Sequence, residues 1–145
     1  MESRVARKGR ILRSVRRSDL DASTTPMVLL AEDDAATRLR LSSLLRRDGF
    51  EVVEVKDGAE LLERLDGSTP TYGGLVDLVI ADLHPENGLD LLERVRAVDW
   101  ATPVILFVDD GDPALLQDPT ELGTTLVLAR PFDMEHVRST VAYWT

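Results

Sequence analysis

The chain has 145 residues, 43% of them hydrophobic and 30% charged, enough apolar material for one packed domain and too much for bulk disorder. It holds no cysteine, which excludes disulfides, zinc–thiolate centres and cysteine nucleophiles, and its two histidines, His84 and His136, are too few for a multi-histidine metal site. The net charge of −9 conceals a basic start: residues 1–20 carry seven cations against two anions, so the remainder is strongly acidic and repels nucleic acid.

Residues 1–26 read as a basic tail ending in Asp21-Ala22-Ser23-Thr24-Thr25-Pro26. It is a solvated tail, a short amphipathic helix carrying Val5, Ile11, Leu12 and Val15, or an artefact of start-site choice, since Met27 stands directly before the first strand. No apolar run approaches the ~20 residues of a membrane span, and no signal-peptide core follows the first cations. The expectation is a soluble cytoplasmic protein with one domain over 27–145.

From Met27 the pattern alternates. Met27–Ala31 is a continuous apolar run, as in a strand buried on both faces. Ala35–Arg47 is a helix with Leu39, Leu41, Leu44 and Leu45 at three- and four-residue spacing, ended by Gly49. Glu51–Val55 is a second strand, Asp57-Gly58 a turn, and Ala59–Leu65 a second helix. A Gly-, Ser-, Thr- and Pro-rich loop spans 67–74. Leu78–Ala81 is the third strand, and Leu89–Val98 a helix with the stripe Leu89, Leu92, Val95, Arg96. Val104–Val108 is the fourth strand, followed by a helix over Pro113–Leu122 that Pro119 interrupts. Thr125–Ala129 is the fifth strand, and Asp133 caps a last helix with the stripe Met134, Val137, Val141, Trp144. Five strands alternating with five helices predict an α/β fold, a doubly wound five-stranded parallel sheet with helices on both faces.

Chemistry in such sheets sits at the carboxyl ends of the strands. There stand Glu32, Asp33 and Asp34; Asp82; Val108, Asp109 and Asp110; Arg130 and Pro131. Clustered carboxylates repel and need a cation at neutral pH. Oxygen ligands without Cys or His select a hard divalent ion, Mg²⁺ first among them, and an Asp beside such an ion can attack phosphorus. Plainer roles compete: a loop carboxylate for Asp82, helix capping for the Glu32–Asp34 run, and a salt bridge for Arg130. Asp34 alone suffices as the cap, leaving Glu32 and Asp33 unexplained. Solvent exposure is the plain reading for His84 and His136, and core packing for Trp144.

Val28–Asp34 (VLLAEDD), Lys56-Asp57-Gly58, Asp77–Asp82 (DLVIAD), Gly88–Arg96, Pro103–Phe107 (PVILF) and Arg130-Pro131-Phe132-Asp133 come in the order found in response-regulator receiver domains. The chain resembles that family over about 27–145, with a flavodoxin-like fold implied. The resemblance implies Asp82 as phosphoacceptor and Mg²⁺ held by Glu32, Asp33, Asp82 and the backbone carbonyl of His84. It implies a sensor histidine kinase or phosphotransfer protein as donor and a downstream target protein. It implies signalling rather than enzyme catalysis, beyond self-phosphorylation and self-dephosphorylation. No output domain follows Thr145, so no fused DNA-binding domain is expected, and homodimerisation is left open.

The sequence departs from the family pattern where switching is controlled. Val108 replaces the usual Thr or Ser, and the missing hydroxyl bond to a charged group weakens the active state by about 1.5–3 kcal/mol. Arg130 replaces the usual Lys and can form a standing pair with Asp82 or Asp33. Val127 takes the switch aromatic's place, and Pro85 and Gly88 imply a shortened loop after Asp82. Two readings follow: a stand-alone receiver phosphorylated on Asp82, or a pseudo-receiver that binds partners without phosphorylation. An enzyme on this architecture is disfavoured. A flavin carrier would need a phosphate loop where Glu32–Asp34 stand, and a haloacid-type phosphatase would need an Asp where His84 stands.

Overall fold

The computed structural model describes residues 25–67, 76–84, 87–116 and 123–145. Five strands, β1 (Met27–Glu32), β2 (Glu51–Val55), β3 (Leu78–Asp82), β4 (Val104–Val108) and β5 (Thr125–Ala129), form one parallel sheet in the order β2-β1-β3-β4-β5. Four α-helices accompany them among the described residues: α1 (Ala35–Arg47), α2 (Gly58–Asp66), α3 (Gly88–Val98) and α4 (Met134–Trp144). The order confirms a doubly wound fold, with the reversal of direction between β1 and β3.

Side-chain alternation along each strand divides the core in two. Leu29, Ala31, Val79, Ala81, Leu106 and Val108 face α2 and α3, where Leu61, Leu91, Leu92 and Val95 meet them. Val28, Leu30, Leu78, Ile80, Ile105 and Phe107 face α1 and α4, where Leu41, Leu45, Val137 and Val141 meet them. Both faces of the sheet are covered, which is why the strands read as unbroken apolar runs rather than alternating ones. β5 lies at the edge and is only half-buried along its length.

The helices start where local chemistry dictates. Asp34, Asn87 and Asp133 are extended N-cap residues whose side chains accept from main-chain amides two or three residues on. At α2 the cap is reciprocal: Asp57 accepts from the Glu60 amide at 2.8 Å, and Glu60 accepts from the Lys56 amide at 2.9 Å.

Three details differ from the sequence reading. Leu39 is 62% exposed, because the buried stripe of α1 runs through Leu41, Ser42 and Leu45. On α3 the buried positions are Leu91, Leu92, Val95 and Arg96, with Leu89 only partly covered. Where a helix was expected over 113–122, the described part is one 3-10 turn, Pro113–Leu116. The remainder of that segment, including Pro119, lies outside the described residues, as do residues 1–24, the loop over 68–75, and Pro85.

Arg96 is the charged member of the α3 stripe, and the structure buries it with the rest. It is buried and donates to the carbonyls of Asp99, Trp100, Thr102 and Thr124 and to Thr125 Oγ1, at 2.6–3.1 Å. Burial pulls its guanidinium down from the usual arginine range to about 10, so it stays charged at neutral pH. It binds the end of α3 to the start of β5. Gly123, at φ +73°, leaves room for it: a Cβ there would lie 2.8 Å from Arg96 Nε.

Candidate functional site

Register and alternation decide which residues meet at the carboxyl edge. Glu32 and Asp82 are direct partners across β1 and β3. Both continue the row of Leu30 and Ile80, so both carboxyls face the side of α1 and α4. Val108 pairs with Ala129, which sets Asp109 and Arg130, one residue further on, in the row of Phe107 and Leu128. Glu32, Asp82, Asp109 and Arg130 therefore share one face at the ends of four strands. Val108 has the opposite parity.

Glu32, Asp82 and Arg130 line a crevice of about 810 Å³ with Asp33, Asp34, Thr37, Arg40, His84, Pro131, Phe132 and Met134. Glu32 and Asp82 lie at its floor, 1% and 3% exposed. Phe132 is fixed by stacking on Phe107, with ring centroids 4.1 Å apart.

Arg130 reaches across the floor. Its Nε donates to Asp82 Oδ1 at 2.6 Å, its Nη1 to Asp109 Oδ1 at 2.7 Å and its Nη2 to the Phe107 carbonyl at 3.3 Å, and Nη2 also lies 2.5 Å from Asp82 Oδ1 as an ion pair. The standing pair foreseen for Arg130 thus forms with Asp82. Nothing in the sequence pattern singles out Asp109 as a partner of Arg130.

Asp33 accepts from the His84 main-chain amide at 3.0 Å, and its Oδ1 lies 3.6 Å from His84 Nδ1. His84 is exposed, as its sequence position suggested, and its imidazole lies at the edge of the crevice with Nε2 3.9 Å from Asp109 Oδ1. Asp34 is the N-cap of α1, accepting from Thr37 N and Oγ1, and these bonds hold its carboxyl below 3.8.

Glu32 is the strained member. Its Oε2 accepts from the Asp34 amide at 3.1 Å, while the buried Oε1 accepts from no donor. Burial, then the hydrogen bond with Asp82, push its carboxyl from 4.5 up to about 8, and the charges of Asp82 and Asp33 add to this. Two carboxyl groups can hydrogen-bond only through a proton, so at neutral pH Glu32 keeps its proton. A divalent cation would replace that proton. The donor set, all oxygen with an orphaned buried carboxyl oxygen, fits a hard ion such as Mg²⁺. Among the described residues, no three acidic or imidazole side chains already stand in a coordination cage. Arg130 on Asp82 and the His84 amide on Asp33 engage two of the oxygens that a metal would use.

Val108 contributes no polar atom to this site. It is 3% exposed and packs on the start of α3, where its Cγ1 would lie 2.4 Å from a Cβ placed on Gly88. Val127 lies half-buried against the same core cluster.

The pattern that defines the response regulator receiver domain matches residues 28–142. The chain belongs to the response-regulator receiver family. It is 25% identical over 116 residues to sporulation initiation phosphotransferase F of Bacillus subtilis, covering 79% of this chain and 89% of that one. It is 27% identical over 113 residues to the chemotaxis protein CheY of the same organism, covering 76% and 89%. Against the transcriptional regulatory protein PdtaR of Mycobacterium tuberculosis identity is 30% over 120 residues, 81% of this chain but 55% of that protein. Among solved structures, a CheY-like receiver domain from Methylobacillus flagellatus overlays with TM-score 0.63 at 21% identity, over 83% of this chain and 99% of that one. The response regulator TrrA of Thermotoga maritima, solved in complex with Mg²⁺ and BeF, overlays with TM-score 0.64 at 18% identity, over 83% and 100%. The family is one of two-component signalling, and the expected fold is the observed one. Among the described residues no helix is long and apolar enough to cross a membrane.

Proposed function

We propose that this receiver accepts a phosphoryl group on Asp82 from the phosphohistidine of a sensor histidine kinase or a phosphotransfer protein, and signals by contact with a downstream protein. The observation that carries the reading is the register partnership of Asp82 with Glu32 at the switch point, on the floor of an open crevice beside a guanidinium. A carboxylate oxygen of Asp82 attacks phosphorus. The P–N bond to the donor imidazole breaks, its electron pair stays on nitrogen, which takes a proton, and an acyl phosphate remains on Asp82. Arg130 supplies positive charge at the reacting carboxylate, and the buried floor excludes water from one side. Glu32, Asp33, Asp82 and the His84 carbonyl would hold Mg²⁺, which when bound neutralises the charge developing on the phosphoryl oxygens. The solved relative carrying Mg²⁺ and BeF supports that cofactor. A tail function for residues 1–26, a cytoplasmic location and homodimerisation belong to the same reading as expectations.

A second reading has its own support. Two donors of Arg130 sit on one oxygen of Asp82, and Val108 offers no hydroxyl, as a pseudo-receiver would have it. Incubation with acetyl phosphate and Mg²⁺, read by intact mass, separates the two. A gain of one phosphate that needs metal and is absent in Asp82→Asn supports the phosphoacceptor. No gain, together with no Mg²⁺ affinity, leaves the interaction module.

A further inference from the structure

We propose that Asp109 is the switch contact of this receiver: its tether to Arg130 holds the loop after β4 in the resting position, and a phosphoryl group on Asp82 releases it by claiming Arg130. The proposal rests on Asp82 being the phosphoacceptor. Three observations carry it. First, residue 108 cannot hold the loop through a polar bond, since its apolar side chain points to the opposite face and packs on α3. Second, the first polar side chain of the loop, Asp109, continues the row of Phe107 and meets Arg130 Nη1 at 2.7 Å, while the same guanidinium holds Asp82 through Nε and Nη2. One group thus joins the reacting carboxylate to the loop. Third, the loop behind Asp109 is internally braced. The Asp112 amide donates to the Asp109 carbonyl at 3.0 Å, Asp112 Oδ1 accepts from Ala114 N at 2.8 Å, and Asp112 Oδ2 accepts from Gly88 N at 3.2 Å. A change at Asp109 is therefore passed to the 3-10 turn Pro113–Leu116 through the Asp112 bonds.

The Asp109 side chain is 76% exposed, so its ion pair is a weak latch that competition can open. A phosphoryl group brings nearly two charges and three acceptor oxygens to Asp82, and a guanidinium fork binds such an oxyanion better than a lone carboxylate. Asp109 then loses its hydrogen bond to Arg130, keeps only the longer 3.9 Å approach of His84 Nε2, and faces like charge. The loop moves by release, where a hydroxyl at residue 108 would act by attraction.

The experiment is hydrogen–deuterium exchange of the amides of residues 110–116 in the full chain, with and without acetyl phosphate and Mg²⁺, and with intact mass taken on the same samples. Phosphorylated wild type exchanges these amides about two- to fivefold faster than the resting form, the factor that an exposed ion pair supplies. Unphosphorylated Asp109→Asn already exchanges at the faster rate, and Asp109→Glu, which keeps the charge, stays slow. Exchange of Asp109→Asn at the resting wild-type rate overturns the tether. A one-phosphate mass gain with unchanged loop exchange overturns the release. Absence of any mass gain tells instead against Asp82 as acceptor and ends the release with it, while the Asp109→Asn comparison still decides the tether.

Discussion

Glu32→Gln isolates the electrostatic strain at the floor of the site. In the unfolded chain Glu32 ionises near 4.5, and in the folded protein near 8. Below 4.5 both states are protonated. Between 4.5 and about 8 folding takes up a proton, so stability falls as pH rises through that window and levels off above it. At 1.36 kcal/mol for each tenfold change in proton affinity, the displacement amounts to about 3–5 kcal/mol between pH 5 and 8.5. For a domain of this size that is roughly a 10 °C fall in Tm. Glutamine has the shape of the protonated acid, never ionises, and offers Asp82 an amide donor. Thermal unfolding of wild type and Glu32→Gln in chelator from pH 5 to 9 reads the difference directly: curves close at pH 5 and diverging towards pH 8.5, with the variant the more stable. Millimolar Mg²⁺ at pH 8.5 raises the Tm of wild type and leaves the variant nearly unchanged, because the ion needs the carboxylate and not its neutral analogue. Parallel pH profiles for the two proteins would refute the argument that Glu32 is held protonated by burial and Asp82.

Other perturbations test the frame around the site. Gly88→Ala drives a methyl group into Val108 and costs about 1–3 kcal/mol in urea unfolding, part of which Val108→Ala restores in the double variant. Arg96→Ala leaves the carbonyls of Thr102 and Thr124 without this donor and costs about 3 kcal/mol or more; Arg96→Lys recovers little, because one ammonium cannot serve both loops. Arg130→Lys keeps the charge but loses the fork, so calorimetry should show tighter Mg²⁺ binding than in wild type; weaker binding would mean that the guanidinium does not compete with the ion. Asp48, held below 3.8 by the Arg138 guanidinium, adds stability above that value which is lost as pH falls through its folded pKa, so Asp48→Asn flattens the acid limb of the Tm profile.

The fold was legible because the three central strands are buried on both faces and the helices start at residues that cap by local chemistry. Apolar runs such as Met27–Ala31 and Val104–Val108 have little choice of environment, and Asp34, Asn87 and Asp133 mark helix starts by chemistry that acts within three residues. What failed was local in another sense. Leu39 is an apolar residue on the solvent side of α1, and only the docking of that helix on β1 and β2 decides that Leu41 and Leu45 go inward. The spacing put Arg96 on the buried stripe of α3, but its partners, the carbonyls of Thr102 and Thr124 in the segments before β4 and β5, are displayed by no window of sequence.

The site shows the same division. That acids and a cation gather at the strand ends followed from the strand order alone, but which of them touch depends on register. Counting along strands already in register places Glu32 beside Asp82 and sends Val108 away from both. The same count gives Asp109, one residue further, the partner that residue 108 lacks. Replacing Thr or Ser by Val at 108 and Lys by Arg at 130 thus reads as one physical change and not two. A planar cation with several donors can hold the Asp82 carboxylate and still reach the loop at Asp109, where a single ammonium would hold one and leave the loop to a hydroxyl. The two substitutions therefore couple: the double variant Val108→Thr with Arg130→Lys should retain more phosphorylation-dependent loop exchange than the sum of the single changes implies, and additive losses would separate them.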